Sequence, residues 1–128
     1  MDRPAGVSDR TRRVEFGRDL TGPQRARRAV TDLLGDGPLA DDVRLVVSEL
    51  VTNVLRHTDG GGVLRLRDSR PDGPVRIEVE DAAAVIPAVP VGDPAGPGGQ
   101  GLRIVAGAAH RWGVRRTWRG KVVWAELR

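Results

Sequence analysis

Glu49, Asn53 and His57 recur at four-residue intervals in SELVTNVLRH, so on a helix they share one side. With Glu49 as the origin, Asn53 lies about 40° round the axis and His57 about 80°, while Val43, Val46, Val47, Leu50, Val51 and Val54 fill an arc from about 60° to about 200°. The polar row thus runs into the edge of the face that has to be buried. Asparagine is a poor interior helix residue, and one at the core border needs a partner for its amide. Two readings follow. One is a solvated flank with ordinary end effects, in which His57 answers the negative end of the helix dipole. The other is a carboxylate and an amide converging on a groove, suited to activating a hydroxyl and to ligating a hard cation such as magnesium through oxygen.

Two further places carry polar chemistry. Asp81 closes VRIEVED, where an aspartate either stops a strand or contacts a ligand. Pro97-Gly98-Gly99-Gln100-Gly101-Leu102 reads as a glycine-rich loop running into a helix, where backbone N–H groups can approach a phosphate with the helix dipole behind them. No GK[ST] follows, so it is not a Walker A loop. Ile104 stands where a dinucleotide fingerprint needs its third glycine.

These residues need a scaffold, and the patterning predicts one. Val14-Glu15-Phe16 is a short edge strand, and Thr21-Gly22-Pro23 opens a helix that runs to Leu34 with Gly35 as its C-cap. Residues 40–57 form the second helix, with Asp41 and Asp42 at its positive end and Arg56 and His57 at its negative end. Strands at 63–68 and 75–80 make a hairpin over Pro71-Asp72-Gly73-Pro74. Residues 82–100 hold four prolines and four glycines, which predicts a long functional or disordered loop. GLRIVAGAA is a third helix, and WGVRRTW and VVWAEL form a closing hairpin. The fold class is therefore α/β (α+β): a two-layer sandwich whose mixed, mainly antiparallel sheet carries helices on one face.

The 128 residues bound the function classes: one domain over 20–128, preceded by a flexible arginine-rich segment over 1–19. Cysteine is absent, which removes disulfide scaffolds, cysteine-ligated metals and thiol nucleophiles. No apolar run suits a membrane span or a secretion signal, so a cytoplasmic protein is expected. Lys121 is the only lysine, leaving arginine to supply 20 of the 21 basic side chains. That bias fits either a nucleic-acid surface or a GC-rich codon habit; with 3% aromatic residues there is little to stack bases on, and no nucleic-acid partner is expected.

Taken in order, SELVTNVLRH, VED, GGQGLRIV and HRWGVRRTWRGKVVWAEL resemble the GHKL (Bergerat-fold) ATPases. Within them the likeness is to the small bacterial anti-sigma factor serine/threonine kinases, and it covers residues 20–128 or so. The resemblance implies ATP and Mg2+ as cofactors, Glu49 as general base and Asn53 as a magnesium ligand. It further implies that Asp81 accepts the hydrogen bond of the adenine amino group, and that Gly99, Gln100, Gly101 and Leu102 form a lid over the phosphates. In such a kinase the base deprotonates a serine of a partner protein, with positioning and magnesium supplying most of the catalysis. The implied partners are a sigma factor, an anti-anti-sigma (STAS-like) protein, or both, with a homodimer possible. The sequence departs from the family at Ala82-Ala83-Ala84, which follow Asp81, and at Val122, which stands for a threonine at the adenine end. Those departures leave open a catalytically silent module that sequesters a regulator on the same fold.

Overall fold

A computed structural model describes residues 10–57, 60–81, 99–118 and 120–128. The order is β1 (Thr11–Phe16), α1 (Gly22–Leu34), α2 (Pro38–His57), β2 (Gly62–Asp68), β3 (Val75–Asp81), α3 (Gly99–Ala108), β4 (Arg111–Thr117) and β5 (Gly120–Leu127). The strands form one sheet in the order β1-β2-β3-β5-β4, and all four pairings are antiparallel. The predicted sandwich is thus present, with its sheet wholly antiparallel among the described residues.

Strand periodicity separates the two layers. Leu64 and Leu66 of β2, Val75, Ile77 and Val79 of β3, and Ala125 and Leu127 of β5 are buried and join one core with Val43, Val46, Val47, Leu50, Val51 and Val54 of α2. These α2 residues are the arc that helical periodicity delimits. Ala26, Ala29 and Val30 of α1 and Val105 of α3 complete the helix layer. At roughly 1.5–3 kcal/mol for each fully buried Val or Leu, this shared core is what holds the helices on the sheet.

Local signals behave as their chemistry requires, with one substitution of roles. Gly35 ends α1 at φ 72°, a conformation that suits glycine. Thr21 precedes α1 but makes no side-chain cap; instead the Asp19 carboxylate accepts the Thr21 N–H at 2.9 Å. The edge strand expected at 14–16 runs over Thr11–Phe16 and pairs with β2 along its whole length, so the sheet takes in residues that composition assigns to an N-terminal segment. Most of the predicted long loop, residues 82–98, lies outside the described residues, as do residues 1–9 of that segment.

Candidate functional site

α2 carries the polar row at the margin of the core, as its periodicity requires. Glu49 and Asn53 are half-buried beside fully buried Val46, Leu50 and Val54. The Asn53 Oδ1 atom is buried and has no hydrogen-bond partner among the described residues. An unsatisfied buried acceptor costs about 1–3 kcal/mol, so this side chain is held at a cost that no described residue offsets. A hard cation or a donor from a ligand would satisfy it, and Glu49 stands one helical turn away. His57 is exposed in the last turn beside Arg56, which agrees with the dipole reading.

Asp81 ends β3 on the helix-covered face. It is 2% exposed and is the one buried charged side chain among the described residues, so it does more than stop a strand in water. Its neighbours across the sheet are Gly62 of β2 and Lys121 of β5. A Cβ at Gly62 would lie 2.8 Å from Phe16 Cζ and 2.3 Å from the Glu80 carbonyl oxygen, so the Phe16 ring occupies the place a side chain would take beside Asp81. Phe16 and Lys121 were not candidates from motif spacing. Only strand register reveals them.

Chain connectivity brings α2 and β3 together at one end. His57 ends α2 five residues before Gly62, and Gly62 pairs with Asp81, so the C-termini of α2 and β3 lie at the same end of the sandwich. α3 packs on α2. Gly99, Gln100, Gly101 and Leu102 belong to the first turn of α3, whereas the sequence put the glycines in a loop ahead of it. Glycine is tolerated there because the first four N–H groups of a helix have no intrahelical acceptor, and those groups remain available to an anion. The side chains of residues 99–101 lie outside the description; Leu102 is half-buried.

Val122 requires a correction. The resemblance puts its position at the adenine end, but the register pairs Val122 with Glu80 and Arg115, on the face opposite Asp81. Val122 is 2% exposed yet stands apart from the core that the helices cover. A strand alternates faces at every residue, so Lys121 and Val123 are the β5 side chains on the Asp81 face.

The model of the histidine kinase-like ATPase domain family matches residues 19–127. The chain belongs to that family. A search of the curated proteins finds no match. A histidine kinase-like ATPase domain binds ATP, usually with magnesium, and ATP-dependent kinases are among the family's members. Asn53 fits the cation: its orphaned Oδ1 is a hard oxygen donor. Among the described residues no group of three or more His, Cys, Asp or Glu could hold a metal by itself, so a cation held by Asn53 would draw its remaining ligands from the nucleotide and water. No described helix is long and apolar enough to cross a membrane.

On the other face of this ATPase domain several arginines are paired with carboxylates. Arg76 bridges Glu78 at 2.9 Å and Glu126 at 3.0 Å, Arg65 meets Glu80 at 3.5 Å, and Arg13 meets Glu15 at 2.8 Å. The Arg76 guanidinium also stacks 4.7 Å from the centroid of the Trp124 ring. Paired charge of this kind is a solvated ladder.

Proposed function

We propose that this domain is a protein serine/threonine kinase of the anti-sigma factor type. The observation that carries the reading is the orphaned Asn53 Oδ1, one turn from the Glu49 carboxylate on the same side of α2. On this reading Glu49 accepts the proton of a partner's serine or threonine hydroxyl while that oxygen bonds to the γ-phosphorus of ATP. The bond from phosphorus to the bridging oxygen breaks and ADP leaves. Magnesium, when bound, neutralises charge on the phosphates. Asn53 orients that end of the nucleotide, Asp81 accepts from the adenine amino group, and Gly99, Gln100, Gly101 and Leu102 offer the N–H groups of the first turn of α3.

An anti-anti-sigma (STAS-like) protein is the proposed acceptor and a sigma factor the proposed regulated partner, with a homodimer as the working assembly in the cytoplasm. Titration calorimetry with ATP, with and without magnesium, on wild type and Asn53→Ala tests the site. Magnesium-dependent binding lost in the variant is the expected result; unchanged affinity in Asn53→Ala overturns it. Phosphoserine or phosphothreonine detected by mass spectrometry on a STAS-like protein after incubation with ATP is the expected second result. A second reading, a catalytically silent module that sequesters a sigma factor or another regulator, draws on Ala82-Ala83-Ala84, which supply no polar group after Asp81. ATP binding without transfer to any such acceptor favours that reading.

A further inference from the structure

We infer that Lys121 selects the base of the nucleotide, its ammonium donating to N1 of adenine while Asp81 accepts from the adenine amino group. The inference rests on the proposed placing of adenine at Asp81 and adds the group that reads the rest of that base edge. Strand register puts the two residues together. Asp81 of β3 stands opposite Lys121 of β5, both in alternation with the core positions of their strands and so on the face the helices cover. Side chains directly opposite in an antiparallel pair have Cβ atoms about 4.5–5.5 Å apart. On its other flank Asp81 meets Gly62, where the Phe16 ring occupies the space of a side chain. The next row inward on the same face, Leu64, Val79 and Val123, is apolar. Among the described residues, Lys121 is therefore the polar side chain that register sets beside Asp81.

Lys121 is half-buried, and its ammonium makes no ion pair or hydrogen bond among the described residues. Cations of the opposite face behave differently: Arg65 is taken up by Glu80, and Arg76 by Glu78 and Glu126. Lys121 is also the only lysine in a chain with 20 arginines. A guanidinium fork suits two parallel oxygens, whereas an ammonium is a compact donor that can meet a single ring nitrogen.

Adenine carries its amino group on C6, next to N1; the amino group donates and N1 accepts. An acceptor at Asp81 and a donor at Lys121 match that order. Guanine in the same pose reverses both, setting O6 against the carboxylate and N1–H against the ammonium. A site built to hydrogen-bond one base edge leaves its own polar groups unpaired against another, and that difference is selectivity.

The test is titration calorimetry of the full chain, with magnesium, against ATP, GTP and 1-deaza-ATP, in which a C–H replaces N1. Wild type is expected to bind ATP at least about tenfold more tightly than either analogue. Lys121→Met keeps the length of the side chain and removes the donor. It is expected to bind ATP about tenfold more weakly than wild type and to bind ATP and 1-deaza-ATP alike. Equal affinity of wild type for ATP and 1-deaza-ATP overturns the inference, and that comparison needs no variant. GTP binding as tight as that of ATP also overturns it. If Lys121→Met weakens ATP and 1-deaza-ATP by the same factor, Lys121 acts on the phosphates or on the fold, and the inference fails. Base selectivity without phosphoryl transfer overturns the kinase reading and leaves this inference standing, whereas no ATP binding by wild type overturns both.

Discussion

On the proposed function, Asn53 is the residue at which folding and function conflict. Its Oδ1 is buried and has no partner among the described residues, a desolvation cost that a bound cation or ligand donor would relieve. Asn53→Ala removes the orphan as well as the donor. The expected outcome is a melting temperature equal to or above that of wild type, alongside magnesium-dependent ATP affinity lowered at least about tenfold; calorimetry of both properties on one sample checks it. Glu49 belongs to the acceptor side of the same row. On the proposed kinase reading, Glu49→Gln keeps the shape and removes the proton acceptor, so ATP affinity should change little while phosphoryl transfer falls by about a hundredfold or more, measured by single-turnover kinetics on the phosphorylated partner. The identity of both residues was legible in the sequence, because four-residue spacing and helical periodicity suffice to set Glu49 and Asn53 at a core margin. The orphaned state of Asn53 was not legible, since it depends on what the sheet and α3 present to that margin.

The hairpins show where register overrides motif. Val122→Thr restores the threonine that the family pattern carries, yet its side chain lies on the face opposite Asp81. The substitution should therefore leave ATP affinity within about twofold of wild type and, by burying a hydroxyl at a 2% exposed position, lower stability by about 1 kcal/mol. Nucleotide titration and denaturant unfolding together decide it, and a gain in affinity contradicts the register. At the other hairpin, Asp68 receives the Arg70 guanidinium in two bonds of 2.9 and 3.0 Å and the Arg70 N–H at 3.0 Å. The Arg70 hydrogen bond holds the Asp68 carboxyl below its ordinary 3.8, against the opposing effect of burial. A carboxyl whose pKa is depressed on folding stabilises the native state above its unfolded pKa, and that contribution disappears as pH falls through the folded value. Asp68→Asn should cost about 0.5–1 kcal/mol at neutral pH, the pair being partly open to solvent, and the gap should close as pH drops below 3.8. Urea unfolding of both proteins across that range checks it.

Over the whole molecule, the helix layer meets the sheet through a single core in which α2 is the common neighbour of α1, α3 and the inner strands. A ligand bridging α2 and the end of β3 ties together two elements otherwise joined by packing. ATP with magnesium at about a hundred times its dissociation constant should add about 2.7 kcal/mol of stability, read as a raised melting temperature, and this gain should be absent in Asn53→Ala. The division of charge between faces has the same global origin. Arg65, Arg76 and Arg111 face Glu78, Glu80 and Glu126 across the uncovered sheet, whereas Arg12 and Arg25 donate to the main-chain carbonyls of Thr11 and Glu15. Composition counts those arginines together and cannot tell one paired with a carboxylate from one turned to the backbone.

Apolar periodicity, turn residues and end charges are local properties, and they carried the number, type and order of the elements, the buried arc of α2 and the Glu49–Asn53 row. Four ordered motifs carried the family, and the match over residues 19–127 agrees. Tertiary pairing decided the rest. The length of β1 depends on β2 being there to pair with it, and the placing of Phe16 and Lys121 beside Asp81 depends on three strands in register. The face of Val122 follows from the same register, and the first turn of α3 takes in glycines that read locally as loop. In each case the deciding contact joins residues far apart along the chain. A strand displaced by one position keeps its local pattern while turning every side chain to the other face.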